Sequence, residues 1–108
     1  MPMKLGIILY SNDPETVFQA FRLGTLALKK GDDVRLFMLG KGVECDTLDN
    51  EKWHITDQIR GFQQNGGRTF SCTSCLQIRQ KKESNVCPSS SLEELYRIID
   101  ECDKVLTF

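Results

Sequence analysis

The sequence predicts an α/β domain of three layers, with helices on both faces of a mostly parallel sheet of four to five strands. Three observations carry that prediction. Short apolar runs alternate with stretches of helical period along the chain, glycine, proline, Asn or Asp punctuates the joins, and strand, helix and strand follow one another as a right-handed crossover requires. At 108 residues the chain has room for one core, so residues 1–108 are expected to form one domain.

The first run, residues 4–10 (KLGIILY), is continuously apolar at its centre and reads as a buried parallel strand. A helix follows abruptly. Asp13 is a natural N-cap, Pro14 suits the first helical position, and Glu15 favours the positive end of the helix dipole. Val17, Ala20, Phe21, Gly24, Ala27 and Leu28 recur at helical spacing toward the sheet, with Gly24 allowing close approach, and Gly31 ends the helix. Leu23 and Leu26 fall off that face, as surface for a second partner.

Residues 33–39 (DVRLFML) form the second strand, closed by a turn at Gly40, Lys41, Gly42 and Val43. Between 49 and 65, Ile55, Ile59 and Phe62 mark one helical face, Gly66 and Gly67 stop it, and Trp53 and His54 lie off the stripe. Residues 68–71 (RTFS) are a short third strand. A helix from 73 to about 82 begins where that strand ends, with Cys72 near its N-cap and Cys75 in its first turn. After a connection at 84–90, Ser91 and Glu94 form a capping box ahead of Leu92, Leu95, Ile98 and Ile99, and residues 104–108 (KVLTF) are the last strand.

Fourteen basic and fifteen acidic residues nearly cancel, so no global field draws nucleic acid or an anionic membrane. The N-terminal apolar run is shorter than a signal-peptide core or a membrane span, which leads to the expectation of a cytoplasmic protein. Five cysteines, an odd number for a reducing compartment, argue against a disulfide framework.

Cys72 and Cys75 are the densest chemistry on the chain, in the stretch FSCTSCLQIR. Open α/β sheets carry their sites outside the carboxyl ends of the strands, which is where this reading puts Cys72. A thiol at a helix N-terminus can have its pKa lowered from about 8.5, which favours the nucleophilic thiolate. Four readings stand side by side: a reactive thiol with a neighbour, a redox pair, half of a zinc site, and two buried fillers. Zinc needs four ligands; Cys87 offers a third and His54, Cys45 or Cys102 a fourth, yet no second pair stands at metal spacing, so no metal is expected. A thioredoxin-like pair is disfavoured because Pro88 precedes a serine-rich helix start. The turn at 10–15 has no glycine and carries two acids, and Gly40-Lys41-Gly42 is too short a fingerprint, so no nucleotide cofactor is expected. Cys102 reads as core, Cys45 and Cys87 as loop residues of either kind, and His54 as surface. Arg79 is placed to add charge to the thiols or to project into solvent.

Together, residues 4–43, the stretch GGRTFSCTSCLQIR and the closing LEELYRIIDECDKVLTF resemble the DsrE/DsrF-like proteins of sulfur relay. The resemblance implies a compact α/β/α fold and a small sulfur carrier or sulfurtransferase. Cys72 would hold persulfide sulfur, and Cys75 would resolve, protect or relay. Arg79, and Asn12 in the turn after the first strand, are the candidate binding residues. It also implies a homo-oligomer of dimers or trimers, a protein persulfide donor and acceptor, and no cofactor. The rival reading is a non-catalytic oligomeric binding module with structural or metal-linked cysteines. Relatives commonly follow the arginine with glycine, whereas here Arg79 is followed by Gln80.

Overall fold

A computed structural model describes residues 2–108. Its strands are β1 (Lys4–Leu9), β2 (Asp33–Met38), β3 (Arg68–Cys72), β4 (Ser89–Ser90) and β5 (Lys104–Thr107), and its helices α1 (Pro14–Lys29), α2 (Ile55–Gln64), α3 (Thr73–Ile78) and α4 (Leu92–Glu101). All strand pairings are parallel and the sheet order is β4-β3-β2-β1-β5. The three-layer α/β architecture read from the sequence is the one the chain adopts.

Alternation along the strands sorts the core into two halves. Leu5, Ile7 and Leu9 of β1 and Val34, Leu36 and Met38 of β2 pack with Val17, Phe21, Ile59 and Phe62 of α1 and α2. Phe37 and Cys72 face the other way, against Leu95 and Ile98 of α4. Asp13 caps α1, its carboxylate accepting from the Thr16 N–H at 2.9 Å. Gly24 is needed for close packing: a Cβ there would stand 2.7 Å from the Phe62 ring. No helix among the described residues is long and apolar enough to cross a membrane.

Several local expectations change. Residues 40–47 form a 3-10 segment (Gly40–Thr47) instead of a plain turn. Helix α2 starts only at Ile55, with the Asp49 side chain accepting from the Thr56 N–H across the preceding loop. Ser91 makes no side-chain cap, so the capping box is not formed, and Glu94 pairs with Arg97 instead. Trp53, off the helical stripe, is partly buried all the same: its ring meets Phe18 at a tilt of 56° with centroids 5.1 Å apart and packs on the core. Leu23 and Leu26 do stay exposed, on the rim of a groove with Phe18 and Gln58. On α4 only Leu95 and Ile98 turn inward, which leaves Leu92, Tyr96 and Ile99 on the outer face.

Candidate functional site

The last two residues of β3 point to opposite layers. Ser71 is fully buried toward α1 and α2, and Cys72 goes under α4, where it is only 5 % exposed. Its place at the strand end does not leave Cys72 open, because strand parity and the cover of Phe37 and Leu95 close it. Cys72 is the N-cap residue of α3, but α3 is six residues long and ends at Ile78, so it supplies a much smaller dipole than a helix to residue 82 would.

Cys75, one turn on, is the more open thiol of the two. It straddles both halves of the core at the rim of the sheet, and its Sγ accepts the Gly40 N–H at 3.2 Å. Burial pushes this thiol up from its ordinary value. A hydrogen bond with Cys72 adds to the rise, and the Gly40 N–H and the Arg79 charge pull the other way without cancelling it.

Arg79 turns back onto the site instead of projecting into solvent. Its Nη1 donates to the Cys75 carbonyl at 3.1 Å and its Nε to Glu44 Oε2 at 2.6 Å. The other Glu44 oxygen accepts from Asn12 Nδ2 at 3.2 Å, so one carboxylate joins the two candidate binding residues from different ends of the chain. Arg79 first and Asn12 second hold that carboxyl below its ordinary value. Sequence reasoning missed Glu44. It lies on no periodic face, and its partners become neighbours only because the 3-10 segment folds across the carboxyl end of β2. Lys81 ties the same segment down through the Val43 carbonyl at 2.7 Å and an ion pair with Asp46.

The turn between Ile78 and Lys81 is a Schellman closure: the Lys81 N–H reaches the Leu76 carbonyl at 2.9 Å and the Gln80 N–H the Gln77 carbonyl at 3.0 Å. That motif puts Gln80 in the left-handed region at φ 52°, where glycine is favoured. Beside the site, Tyr10, Ser11, Asn12, Leu39, Gly40 and Lys41 line an open pocket of about 620 Å³ over the carboxyl ends of β1 and β2. Gly40 belongs to both, through its pocket face and its N–H bond to Cys75.

The remaining cysteines lie elsewhere. Cys45 and Cys87 are fully buried and both reach the Met38 sulfur, at 3.2 and 3.9 Å. The contact with Cys87, then burial, pushes the Cys45 thiol up, while the same contact pulls the Cys87 thiol down, so Cys45 is the member of the pair that holds its proton more firmly. Cys102 follows the last residue of α4 and is partly exposed, not sealed in the core. His54 is an exposed residue at the start of α2. Among the described residues no three His, Cys, Asp or Glu side chains converge on a point that would hold a metal ion.

The model of the DsrE/DsrF-like family matches residues 3–108. The YchN protein of E. coli superposes with a TM-score of 0.84 over 100 % of both chains at 20 % identity. A conserved protein of unknown function from Bacteroides thetaiotaomicron, BT1422, does so with 0.77 at 16 % identity, covering 97 % of this chain and 94 % of that one. At these identities the two likenesses speak to the fold. A search of curated proteins finds no match. The family match spans almost every residue, both core layers and the thiol pair included, and the chain belongs to the DsrE/DsrF-like family.

Proposed function

We propose that this chain is a sulfur carrier that takes persulfide sulfur at the Cys72 and Cys75 pair and passes it to a partner thiol. Family membership supplies the broad context of sulfur relay. The observation that carries the finer reading is the arrangement of the pair: a half-open thiol at the rim, packed against the cluster that holds a second thiol, itself 5 % exposed. Of the roles open to Cys75, this arrangement favours relay.

In the first step the Cys75 thiolate attacks the outer sulfur of a donor persulfide. A sulfur–sulfur bond forms to Cys75, the donor's own bond breaks, and the donor thiolate takes up the proton that Cys75 released. Cys72 then attacks the outer sulfur of the Cys75 persulfide in the same way, and Cys75 returns to the thiol. Sulfane sulfur moves without net oxidation. Storage on Cys72 keeps it from dissolved thiols, and the reverse sequence delivers it to an acceptor. Arg79 and Glu44 position the turn that carries Cys75, and the pocket between Tyr10 and Lys41 is the approach for the partner chain. Self-association through the Leu23 and Leu26 groove belongs to the same proposal, because it would cover apolar surface that the fold leaves open.

The test is sulfane loading of single variants, read by cyanide release. Cys72→Ser is expected to hold no stable sulfane sulfur. Cys75→Ser should reach the wild-type amount about tenfold more slowly, since the donor must then reach a covered thiol directly. Wild-type loading by both variants would discard the pair as the carrier.

A further inference from the structure

Arg35 is a buried cation with an unfilled donor. On β2 it pairs in register with Gly6 and Arg68, under α4 and toward the amino ends of the strands, while Cys72 lies at the carboxyl end of β3. It is 5 % exposed. Its Nη1 donates to Glu101 Oε1 at 3.0 Å, its Nη2 to Cys102 Sγ at 3.5 Å, and its buried Nε has no partner. The Nε–H and one Nη2–H project from the same edge of the planar guanidinium, the edge that grips two-oxygen anions bidentately. The single sulfur of Cys102 fills only half of that edge.

Cys102 is also open to small reagents. It is partly exposed, in contrast to Cys45 and Cys87, and it follows the end of α4 as the chain turns toward β5. On its inner side the sulfur packs closely on the β1 backbone, where a Cβ on Gly6 would come within 3.3 Å of it, so reagents reach it from the exposed side. Burial works against the Arg35 charge, but the hydrogen bonds to Glu101 and Cys102 outweigh it, so the guanidinium stays charged beneath the thiol.

We infer that Cys102 is an oxidation site distinct from the Cys72 and Cys75 pair, and that its sulfenate and sulfinate forms are received by the Nε and Nη2 edge of Arg35. The oxidant is hydrogen peroxide. The Cys102 thiolate attacks one peroxide oxygen, a sulfur–oxygen bond forms, and the oxygen–oxygen bond breaks. Sulfur loses two electrons to the peroxide, and the leaving hydroxide takes a proton to become water. A second peroxide repeats the step to give sulfinate, whose two oxygens match the two donors. The site does not rest on the sulfur-carrier reading, since it shares no residue with it.

The test is hydrogen peroxide treatment of the folded wild-type chain with dimedone present, followed by peptide mass mapping. Cys102 is expected to carry the adduct while Cys45 and Cys87 do not, and Arg35→Lys should slow labelling at Cys102 about threefold or more without changing Cys75. Because a change at buried Arg35 can disturb folding, a second comparison starts from variants that keep the Arg35 side chain. Cys102→Asp, a carboxylate in place of the sulfinate, should melt above Cys102→Ser, and that advantage should vanish when Arg35→Met is added to both. Absence of a Cys102 adduct under conditions that label Cys75 would overturn the site. Equal labelling in Arg35→Lys, or Cys102→Asp melting below Cys102→Ser, would overturn the role of Arg35.

Discussion

Two cysteine pairs lie near the same sheet and have opposite surroundings. Cys72 and Cys75 sit at the carboxyl rim, one covered and one half-open, beside a backbone N–H, an arginine and a carboxylate. Cys45 and Cys87 lie inside the core, both within reach of the Met38 sulfur and both at 0 % exposure. The rim pair is close in sequence and the core pair is brought together only by folding. The difference teaches that position relative to the sheet end, rather than thiol count or mutual proximity, separates a cysteine pair with a half-open member from a pair that only fills space.

The largest expected contrast is in access. Iodoacetamide should modify Cys75 at least about a hundredfold faster than Cys45 or Cys87, which react only when the core opens. The Cys75 rate should keep climbing with pH beyond the range in which an exposed thiol levels off, because burial has raised the pKa and the thiolate is what reacts. Timed labelling with peptide mapping measures both, and comparable rates at the two pairs would erase the distinction.

Stability gives the next contrast. Cys45→Ser or Cys87→Ser places a hydroxyl among apolar side chains and should cost about 2 kcal/mol. Cys75→Ser, at a half-open position, should cost under about 0.5 kcal/mol. Denaturant titration of the three variants decides it.

The rim also stores strain that the core does not. Gln80 is the one non-glycine residue at positive φ among the described residues. Relieving a left-handed side chain gains about 1 kcal/mol, offset in part by the larger unfolded-state entropy of glycine, so Gln80→Gly should stabilise the chain by about 0.5 kcal/mol. A loss of stability in the same titration would mean that the turn is not under strain.

The smallest effect is expected at Glu44, whose carboxyl is depressed below its ordinary value of 4.5. Its contribution is therefore present in full above that value and is lost as pH falls through the lower folded value. At these half-open side chains the pair is worth about 0.5 kcal/mol, so Glu44→Gln should lower stability slightly at neutral pH and flatten the acid limb. An unchanged acid limb would remove Glu44 as the link between Asn12 and Arg79.

The framework was legible because periodicity and punctuation act locally. The first strand, read as 4–10 and observed as Lys4–Leu9, the capped helix at Asp13 and the thiol pair at the end of the third strand follow from neighbouring residues. Other features depend on residues distant in sequence. Strand β4 is two serines that pair only because β3 lies beside them, with Thr73 Oγ1 holding the Ser90 carbonyl at 2.6 Å. The closure of Cys72 depends on α4 packing over it. Glu44 gains its role from two partners that only the folded 3-10 segment brings together. Gln80 was visible as a departure from the usual Arg-Gly, but the reason glycine suits that position appears only in the turn geometry.

The central claim is that the rim pair, and not the core pair, carries sulfur. Loading the wild-type chain from a persulfide donor, removing the donor and mapping the added sulfur by peptide mass spectrometry addresses it most directly. The account predicts sulfane sulfur on Cys72, with a transient fraction on Cys75 and none on Cys45 or Cys87. Sulfur found on the core pair, or on no cysteine of the folded chain, would contradict it.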